Sequence, residues 1–301
     1  MPKKQTKPDK TSEKPFSLIP GEKLLAIYSA MLKCRLLEQR ATALFQQGKL
    51  DSDLHLSSGR EATAAASVID LERTDTLCLA PHDWLPAFVK GMSLETLFRA
   101  LAPSRLQGDG PLRIEAEHKN VFDGSSDLQQ VLLDQADAAF TDKKSAVAAA
   151  FIPAGGASLN EWKRTIETAG SRKLPAIFIH YTESAEDTPT ARSAKPEALV
   201  HGVPSIAVDA RDPVAVYRVA YEAIVRARQL RGATLISCMI DSPVSTPNNG
   251  GSQAPEPIAL DPVAAMEAYL KSKKIEHEVH NREVIEAFNR DLDLATRFLD
   301  K

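Results

Sequence analysis

The sequence predicts an α/β fold in which helices flank a parallel sheet, and three observations support it. Apolar runs typical of buried strands recur in the second half of the chain, at 146–152, 176–180, 206–208 and 234–240. Helical segments alternate with them, which is the pattern of βαβ units. Asp212-Pro213 and Asp261-Pro262 each place an N-cap residue before a proline, the preferred start of a helix.

The first half of the chain begins with a helix after Pro20-Gly21, where apolar residues recur at helical spacing. The other features recognised there are an alanine-rich helix at 61–69, a short apolar run at 76–79, a helix at 94–101 and a long loop at 107–126.

The second half is predicted in more detail. Helices are expected at 159–169, from Asp212-Pro213 to Gly232, from Asp261-Pro262, and at the end of the chain. Residues 182–195 are predicted to form a loop and residues 242–257, rich in Pro, Gly, Asn and Ser, a connector. We expect a disordered basic tail at 1–20 and a single domain at 21–301.

Composition excludes several classes of protein. The chain has 301 residues, 43% of them hydrophobic, and a formal net charge of −3, which argues against binding to nucleic acid or to an anionic membrane. No apolar stretch is long enough to span a bilayer, and no secretory signal is recognised. Three widely spaced cysteines favour buried thiols and a reducing, cytoplasmic compartment.

Five blocks of the sequence occur in the order in which one known family has them. They read LLAIYSAMLKCRLLEQRATALFQQGKL, HLSSGREATAAA, KLPAIFIH, VHGVPSIAVDARDPVAVYRVAYEAIVRARQLRGATLI and DPVAAMEAYLKSKKI. From about Leu24 onward, the chain resembles the alpha subunit of thiamine-diphosphate-dependent 2-oxo acid dehydrogenases of the pyruvate and branched-chain type. The resemblance implies the thiamine-diphosphate-binding fold, with thiamine diphosphate and Mg²⁺ as the cofactors of the family and a beta subunit as partner.

The family's magnesium-diphosphate motifs are altered in this chain. By the resemblance, Gly-Asp-Gly at the end of one strand falls on Pro153-Ala154-Gly155, and Asn-Asn at the end of the next strand falls on Thr182-Glu183. The metal-binding carboxylate is thus replaced by the methyl group of Ala154. Mg²⁺ requires oxygen ligands in near-octahedral geometry, so Glu183 remains as the one candidate metal ligand at these positions.

Two further cofactor motifs differ from the family pattern. The Tyr-Arg-Asp-His block, whose arginine holds the diphosphate, aligns with Pro81-His82-Asp83-Trp84. His82 would then replace a permanently charged guanidinium by a group that is mostly neutral at pH 7. The loop after the last strand, at 241–246, lacks the family's histidine. These changes together predict that the chain has lost the ability to bind thiamine diphosphate with Mg²⁺.

Three histidines are further candidates, because by family position or by strand and loop ends they would face the cofactor pocket. They are His55, His180 and His201. They would either line a residual pocket or be satisfied polar residues of the structure, and no catalytic residue is assigned. A different small anion could also bind at the helix start near Ser158.

The sequence leaves two functions open. The first is a cofactor-deficient structural or regulatory subunit, which forms a homo-oligomer or pairs with a beta-subunit-like chain. The second is an active oxidoreductase subunit, which decarboxylates a 2-oxo acid with thiamine diphosphate and transfers the acyl group to a lipoyl carrier. In that case Glu183 and His82 would stand in for the missing ligands.

Overall fold

The computed structural model describes residues 19–50, 60–79, 83–103, 120–122, 127–143, 145–154, 156–183, 198–240 and 261–300. The helices are α1 (Gly21–Gln46), α2 (Glu61–Val68), α3 (Leu85–Val89), α4 (Leu94–Leu101), α5 (Leu128–Thr141), α6 (Gly156–Ser171), α7 (Pro213–Arg228), α8 (Pro262–Ser272) and α9 (Glu278–Thr296). The strands are β1 (Thr76–Cys78), β2 (Val121–Phe122), β3 (Ala148–Ile152), β4 (Ala176–Glu183), β5 (Ala198–Val200), β6 (Val203–Asp209) and β7 (Thr234–Ile240).

The strands form one mostly parallel sheet, which confirms the predicted fold class. Their order is β2-β1-β3-β4-β7-β6-β5, and every neighbouring pair is parallel except β5 and β6. His201 and Gly202 join β5 to β6 as a two-residue hairpin, with φ angles of 51° and 82°. Positive φ at both central residues is the requirement of a type I′ turn.

Helices cover both faces of the sheet. On the first face, strand residues such as Leu77, Phe151 and Ile179 belong to an apolar cluster shared with α1, α2 and α7. On the second face, residues such as Ala150 and Phe178 pack with α5 and α6. Because both faces are buried, the strands read as continuous apolar runs rather than as alternating ones.

Several elements differ from the sequence prediction. Helices α3 and α5 have no predicted counterpart, and the antiparallel edge strand β5 and the short β2 occupy segments predicted as loop or left unassigned. Strand β4 extends to Glu183, into the predicted 182–195 loop, because Thr182 and Glu183 pair with β7. Of the predicted tail at 1–20, residues 1–18 lie outside the described residues, as does the connector at 242–257, whereas Ile19 is buried.

Two clusters of charged residues join distant elements. Before β1, the fully buried Asp75 accepts hydrogen bonds from the backbone N–H of Val147 at 2.8 Å and from the guanidinium of Arg228 at 2.6 and 3.0 Å. In α1, Arg35 binds Glu61 at the start of α2 and Asp261 at the start of α8. These contacts fix the ends of helices α2, α7 and α8 against the rest of the fold.

None of the helices in the described part of the chain combines the length and the apolar character that crossing a bilayer requires.

Candidate functional site

The carboxyl edge of the sheet is the place where a site is expected. The parallel strands all end at this edge. The sheet has a topological switch point beside β1, since β2 and β3 lie on opposite sides of that strand. In open α/β sheets, ligands bind in the crevice outside such a switch point. Strand β3 ends here with Ile152 and continues into Pro153 and Ala154, while the neighbouring β4 ends with Tyr181, Thr182 and Glu183.

A buried hydrogen bond lies on the first face of the sheet at this edge. The Tyr181 side chain is fully buried, and its hydroxyl donates to Oδ2 of Asp83 at 2.9 Å. Asp83 lies just before α3 and is only 3% exposed. The Tyr181 ring also packs on Phe151 of β3, with centroids 6.0 Å apart. The carboxyl ends of β3 and β4 are therefore linked through Tyr181 to the segment that follows β1.

A guanidinium completes this arrangement, which we call the Tyr181–Asp83–Arg60 cluster. Arg60 immediately precedes α2, and its Cζ atom lies 4.6 Å from the centroid of the Tyr181 ring. At this distance the cation interacts favourably with the face of the aromatic ring. The guanidinium of Arg60 thus covers the Tyr181 ring near the end of β4 on the first face.

Two polar atoms beside the cluster lack hydrogen-bond partners within the described part of the chain. They are Oδ1 of Asp83 and Nε1 of the adjacent Trp84, and both are buried. A buried polar atom without a partner costs free energy, commonly about 1–3 kcal/mol, and such atoms are uncommon in folded proteins. The cluster and the adjacent Trp84 therefore retain hydrogen-bonding groups that no described residue satisfies.

Burial controls the protonation of the cluster. It raises the pKa of Asp83 from its ordinary 3.8 to about 6, although the hydrogen bond from Tyr181 and the charge of Arg60 act in the opposite direction. Burial, together with the carboxylate of Asp83, keeps the pKa of Tyr181 well above its usual value. Asp83 can thus gain or lose a proton near neutral pH, whereas Tyr181 stays protonated as the donor.

This raised pKa makes stability depend on pH. The pKa of Asp83 is higher in the folded protein than in the unfolded chain, so folding favours the protonated carboxyl, and stability falls as the pH rises from about 4 to about 6. We compare the free energies of unfolding of the wild type and of Asp83→Asn at each pH. The wild-type value should fall relative to the variant's by about 2 kcal/mol between pH 4 and pH 6. Urea unfolding of both proteins at a series of pH values measures it.

Tyr181→Phe is the matched variant for this test. It removes the hydrogen bond that lowers the pKa of Asp83, so the pH-dependent fall should move to higher pH. Parallel pH profiles for the wild type and Asp83→Asn would contradict the titration of this carboxyl.

The structure brings some of the predicted site residues together at the carboxyl edge. Pro153 and Ala154 follow β3, and Thr182 and Glu183 end the adjacent β4. The methyl group of Ala154 packs against the apolar cluster of the first face. Gly155, His55 and His82 lie outside the described residues, as do the side chains of Ser158 and Glu183.

The two described histidine candidates lie elsewhere. His201 forms the β5–β6 hairpin at the amino end of β6, the opposite edge of the sheet, which corrects the expectation that it faces the pocket. His180 is only 4% exposed, and because side chains alternate along a strand it lies on the second face, opposite Tyr181. Burial lowers the pKa of His180, so it stays neutral at pH 7.

Where the resemblance places metal ligands, the described side chains are those of Ala154 and Thr182. Ala154 offers a methyl group, and the hydroxyl of Thr182 is a neutral oxygen, buried without a partner in the described structure. Mg²⁺ is typically bound through one or two carboxylates in addition to phosphate oxygens. In the described ranges, no three His, Cys, Asp or Glu side chains converge as a group that could hold a metal ion.

The cluster is not apparent from the sequence. Asp83 and Arg60 occur there only within motifs that resemble the family, and no role is predicted for Tyr181. Asp83 and Tyr181 are 98 residues apart, so no local spacing reveals their hydrogen bond. The available signal was a polar residue at the end of a predicted buried strand, and Tyr181 had that position.

Comparison with known proteins gives consistent matches. The family model described as "Dehydrogenase E1 component" matches residues 28–240. The pyruvate dehydrogenase E1 component subunit alpha of Staphylococcus aureus (strain Mu50 / ATCC 700699) is 28% identical over 299 residues, covering 93% of this chain and 78% of that protein. The chloroplastic subunit alpha-3 of Arabidopsis thaliana is 24% identical over 309 residues, covering 94% and 72%.

Among solved structures, an enzyme of Mycobacterium smegmatis described as thiamin diphosphate-dependent gives a TM-score of 0.38 at 11% identity. The match covers 62% of this chain, which spans 32% of that one.

Proposed function

The chain belongs to the dehydrogenase E1 component family, as an alpha-subunit-like member of the 2-oxo acid dehydrogenases, and from this premise we propose that it is a cofactor-deficient subunit with a structural or regulatory role. The observation that carries the proposal is Ala154, which packs against the apolar cluster where the resemblance places a metal-binding carboxylate.

The neighbouring residues support the same proposal. Thr182 offers a hydroxyl where the family has an amide, and the Tyr181 ring with the overlying Arg60 occupies the first face beside it. Removing one partner of a buried charge-assisted contact costs about 2–5 kcal/mol. Losing the carboxylate and the other family ligands together would leave the cofactor without useful affinity, even if the individual costs do not add fully.

A subunit without the cofactor can still contribute a surface for assembly. The fold retains the sheet, the helices on both faces and the charged contacts that hold the helix ends. We propose that the chain assembles with a beta-subunit-like chain or with itself. Sedimentation of the purified protein tests this part of the proposal, and a monomer with no co-purifying partner would count against it.

Calorimetric titration with thiamine diphosphate plus Mg²⁺ tests the loss of the cofactor site. We expect no binding heat up to millimolar cofactor, both for the chain alone and for any complex in which it is purified. The titrant is validated on a complex that contains the S. aureus relative. Binding at micromolar concentration would overturn the proposal.

A substitution sharpens this experiment. Ala154→Asp returns a carboxylate to the position that the resemblance assigns to the metal, and Ala154→Asn is its uncharged control. If the missing carboxylate is the main defect, cofactor binding should become measurable in the Asp variant and not in the Asn variant. If neither variant binds, the carboxylate at position 154 is not sufficient, and the other altered family positions contribute to the loss.

The second candidate function is an active subunit that decarboxylates a 2-oxo acid. Its support is the similarity to pyruvate dehydrogenase alpha subunits along 93% of this chain. Glu183 at the end of β4 and His82 after β1 would then replace the family's ligands. Decarboxylation that requires added thiamine diphosphate and is lost in Glu183→Gln would establish this function instead.

A further inference from the structure

An open groove of about 1010 Å³ lies between the start of α1 and the outer surface of α7. One wall is formed by Ile19, Pro20 and Lys23, and the other by α7 residues that include Val219 and Tyr221. The groove is separate from the Tyr181–Asp83–Arg60 cluster. Its walls include Arg228, which binds Asp75 at the amino end of β1, whereas the cluster lies at the carboxyl edge of the sheet.

The chemistry of the groove favours an apolar occupant. Its inner charged side chains are held in ion pairs, because Lys23 binds Oδ1 of Asp70 at 2.6 Å and Arg228 binds Asp75. Tyr221 is half exposed and stacks on Tyr217, with ring centroids 5.9 Å apart. What the groove still presents to solvent is therefore largely the Tyr221 ring and the aliphatic side chains near it.

The chain itself enters this groove from its N-terminal side. Ile19 is the first described residue, lines the groove and is only 6% exposed. Pro20 follows with φ −56° and ψ 142°, an extended polyproline-like conformation, and a residue before proline also favours extended backbone. The point at which the described chain begins, Ile19, therefore lies inside the groove, beside the exposed face of α7.

The sequence just before Ile19 has the composition that the groove requires. Residues 15–18 read Pro-Phe-Ser-Leu, whereas residues 2–14 are polar, charged or proline. Phe16 is three residues before Ile19, which is one turn of a polyproline helix, so the two side chains would point to the same side. We propose that residues 15–18 of the same chain dock in this groove, with Phe16 and Leu18 covering Tyr221 and the apolar surface of α7.

An occupant from another molecule is less suited to this groove. It would have to displace residues that are covalently attached to its wall at Ile19, which have a high effective concentration there. The exposed rim of α7 carries one charge of each sign, Arg218 and Glu222, and so favours neither an acidic nor a basic partner.

Hydroxyl-radical footprinting of the full-length chain, read by mass spectrometry at Tyr221 and Val225, tests the proposal. We expect both side chains to be protected in the wild type and to react faster in Phe16→Ala/Leu18→Ala. Losing these two apolar side chains should lower the ratio of docked to undocked chain by on the order of tenfold or more. Phe45→Ala is the matched control, because Phe45 is 38% exposed at the other end of α1.

Two outcomes would overturn the proposal, provided that the double variant is folded. Equal labelling of Tyr221 in the wild type and in the double variant means that residues 15–18 do not cover it. Protection that disappears on dilution of the wild type means that a second copy occupies the groove. Labelling of the exposed Leu294 on α9 reports on the fold, and an unchanged rate there shows that the double variant is folded.

Discussion

Replacing Arg228 with methionine is expected to lower the free energy of unfolding by about 3 kcal/mol, because it leaves a buried carboxylate without its cation. Asp75 has no exposed side-chain surface, and both its oxygens bind the guanidinium of Arg228. Asp75 keeps the backbone N–H groups of Glu72 and Val147, so the loss should lie at the lower end of the range for such pairs. Methionine retains the apolar stem of the side chain, while the guanidinium's hydrogen bonds to the carbonyl oxygens of Ser145 and Asp70 are lost together with the ion pair.

Urea unfolding measures this loss as a lower midpoint at an unchanged slope. Arg218→Met is the control, since Arg218 is an exposed arginine of the same helix, and its effect should stay within about 0.5 kcal/mol. If the two variants proved equally stable, the buried pair would contribute no more than a surface charge. The pair also connects elements that are far apart in the sequence. Arg228 ends α7, Asp75 precedes β1, and Asp75 in turn binds Val147 before β3.

The second large effect is expected for Arg35→Met, at about 2–3 kcal/mol. Arg35 binds Glu61, which is only 1% exposed, through Nε and Nη2, and binds both carboxylate oxygens of Asp261. Glu61 would lose its bond to the guanidinium, and the N-cap of α8 would lose its anchor on α1. The partial exposure of Asp261 keeps the expected loss below that of a fully buried triad.

Arg40→Met is the control for this variant. Arg40 lies on the same helix and binds the exposed Asp293, a kind of pair that contributes at most about 1 kcal/mol. Thermal or urea unfolding of both variants measures the two losses of free energy of unfolding. A loss for Arg35→Met no larger than that for Arg40→Met would contradict the prediction. Since Arg60 directly precedes Glu61, the Arg35 contact also positions the start of α2 at the carboxyl edge.

Most of the parallel sheet could be predicted from the sequence, but its edges could not. Strands β3, β4 and β7 are buried on both faces and therefore stand out as apolar runs. Strand β5 is three residues long with Leu199 71% exposed, so it carries no such signal and forms only because the His201-Gly202 turn folds it onto β6. Strand β2 has two residues and owes its existence to pairing with β1.

The candidate site was predictable in place but not in composition. Strand ends and family motifs indicated the carboxyl edge and drew attention to Ala154, Thr182 and Glu183. They did not indicate that Tyr181 would donate to Asp83 under the guanidinium of Arg60, because those three residues come from separate elements. His201 was assigned to the wrong edge, since its φ of 51° and the hairpin it forms are not apparent from the residue itself.

By itself the sequence determined the α/β class, the alternation of the central elements and the absence of an acidic side chain at position 154. These follow from local pattern and residue identity, which need no long-range contact to be read. Only the tertiary structure decided which edge each residue occupies, that Asp83 is buried enough to titrate near pH 6, and that a groove opens beside Ile19. The physical reason is that burial and hydrogen bonding depend on neighbours brought together by folding, whereas strand and helix signals are carried by residues adjacent in the chain.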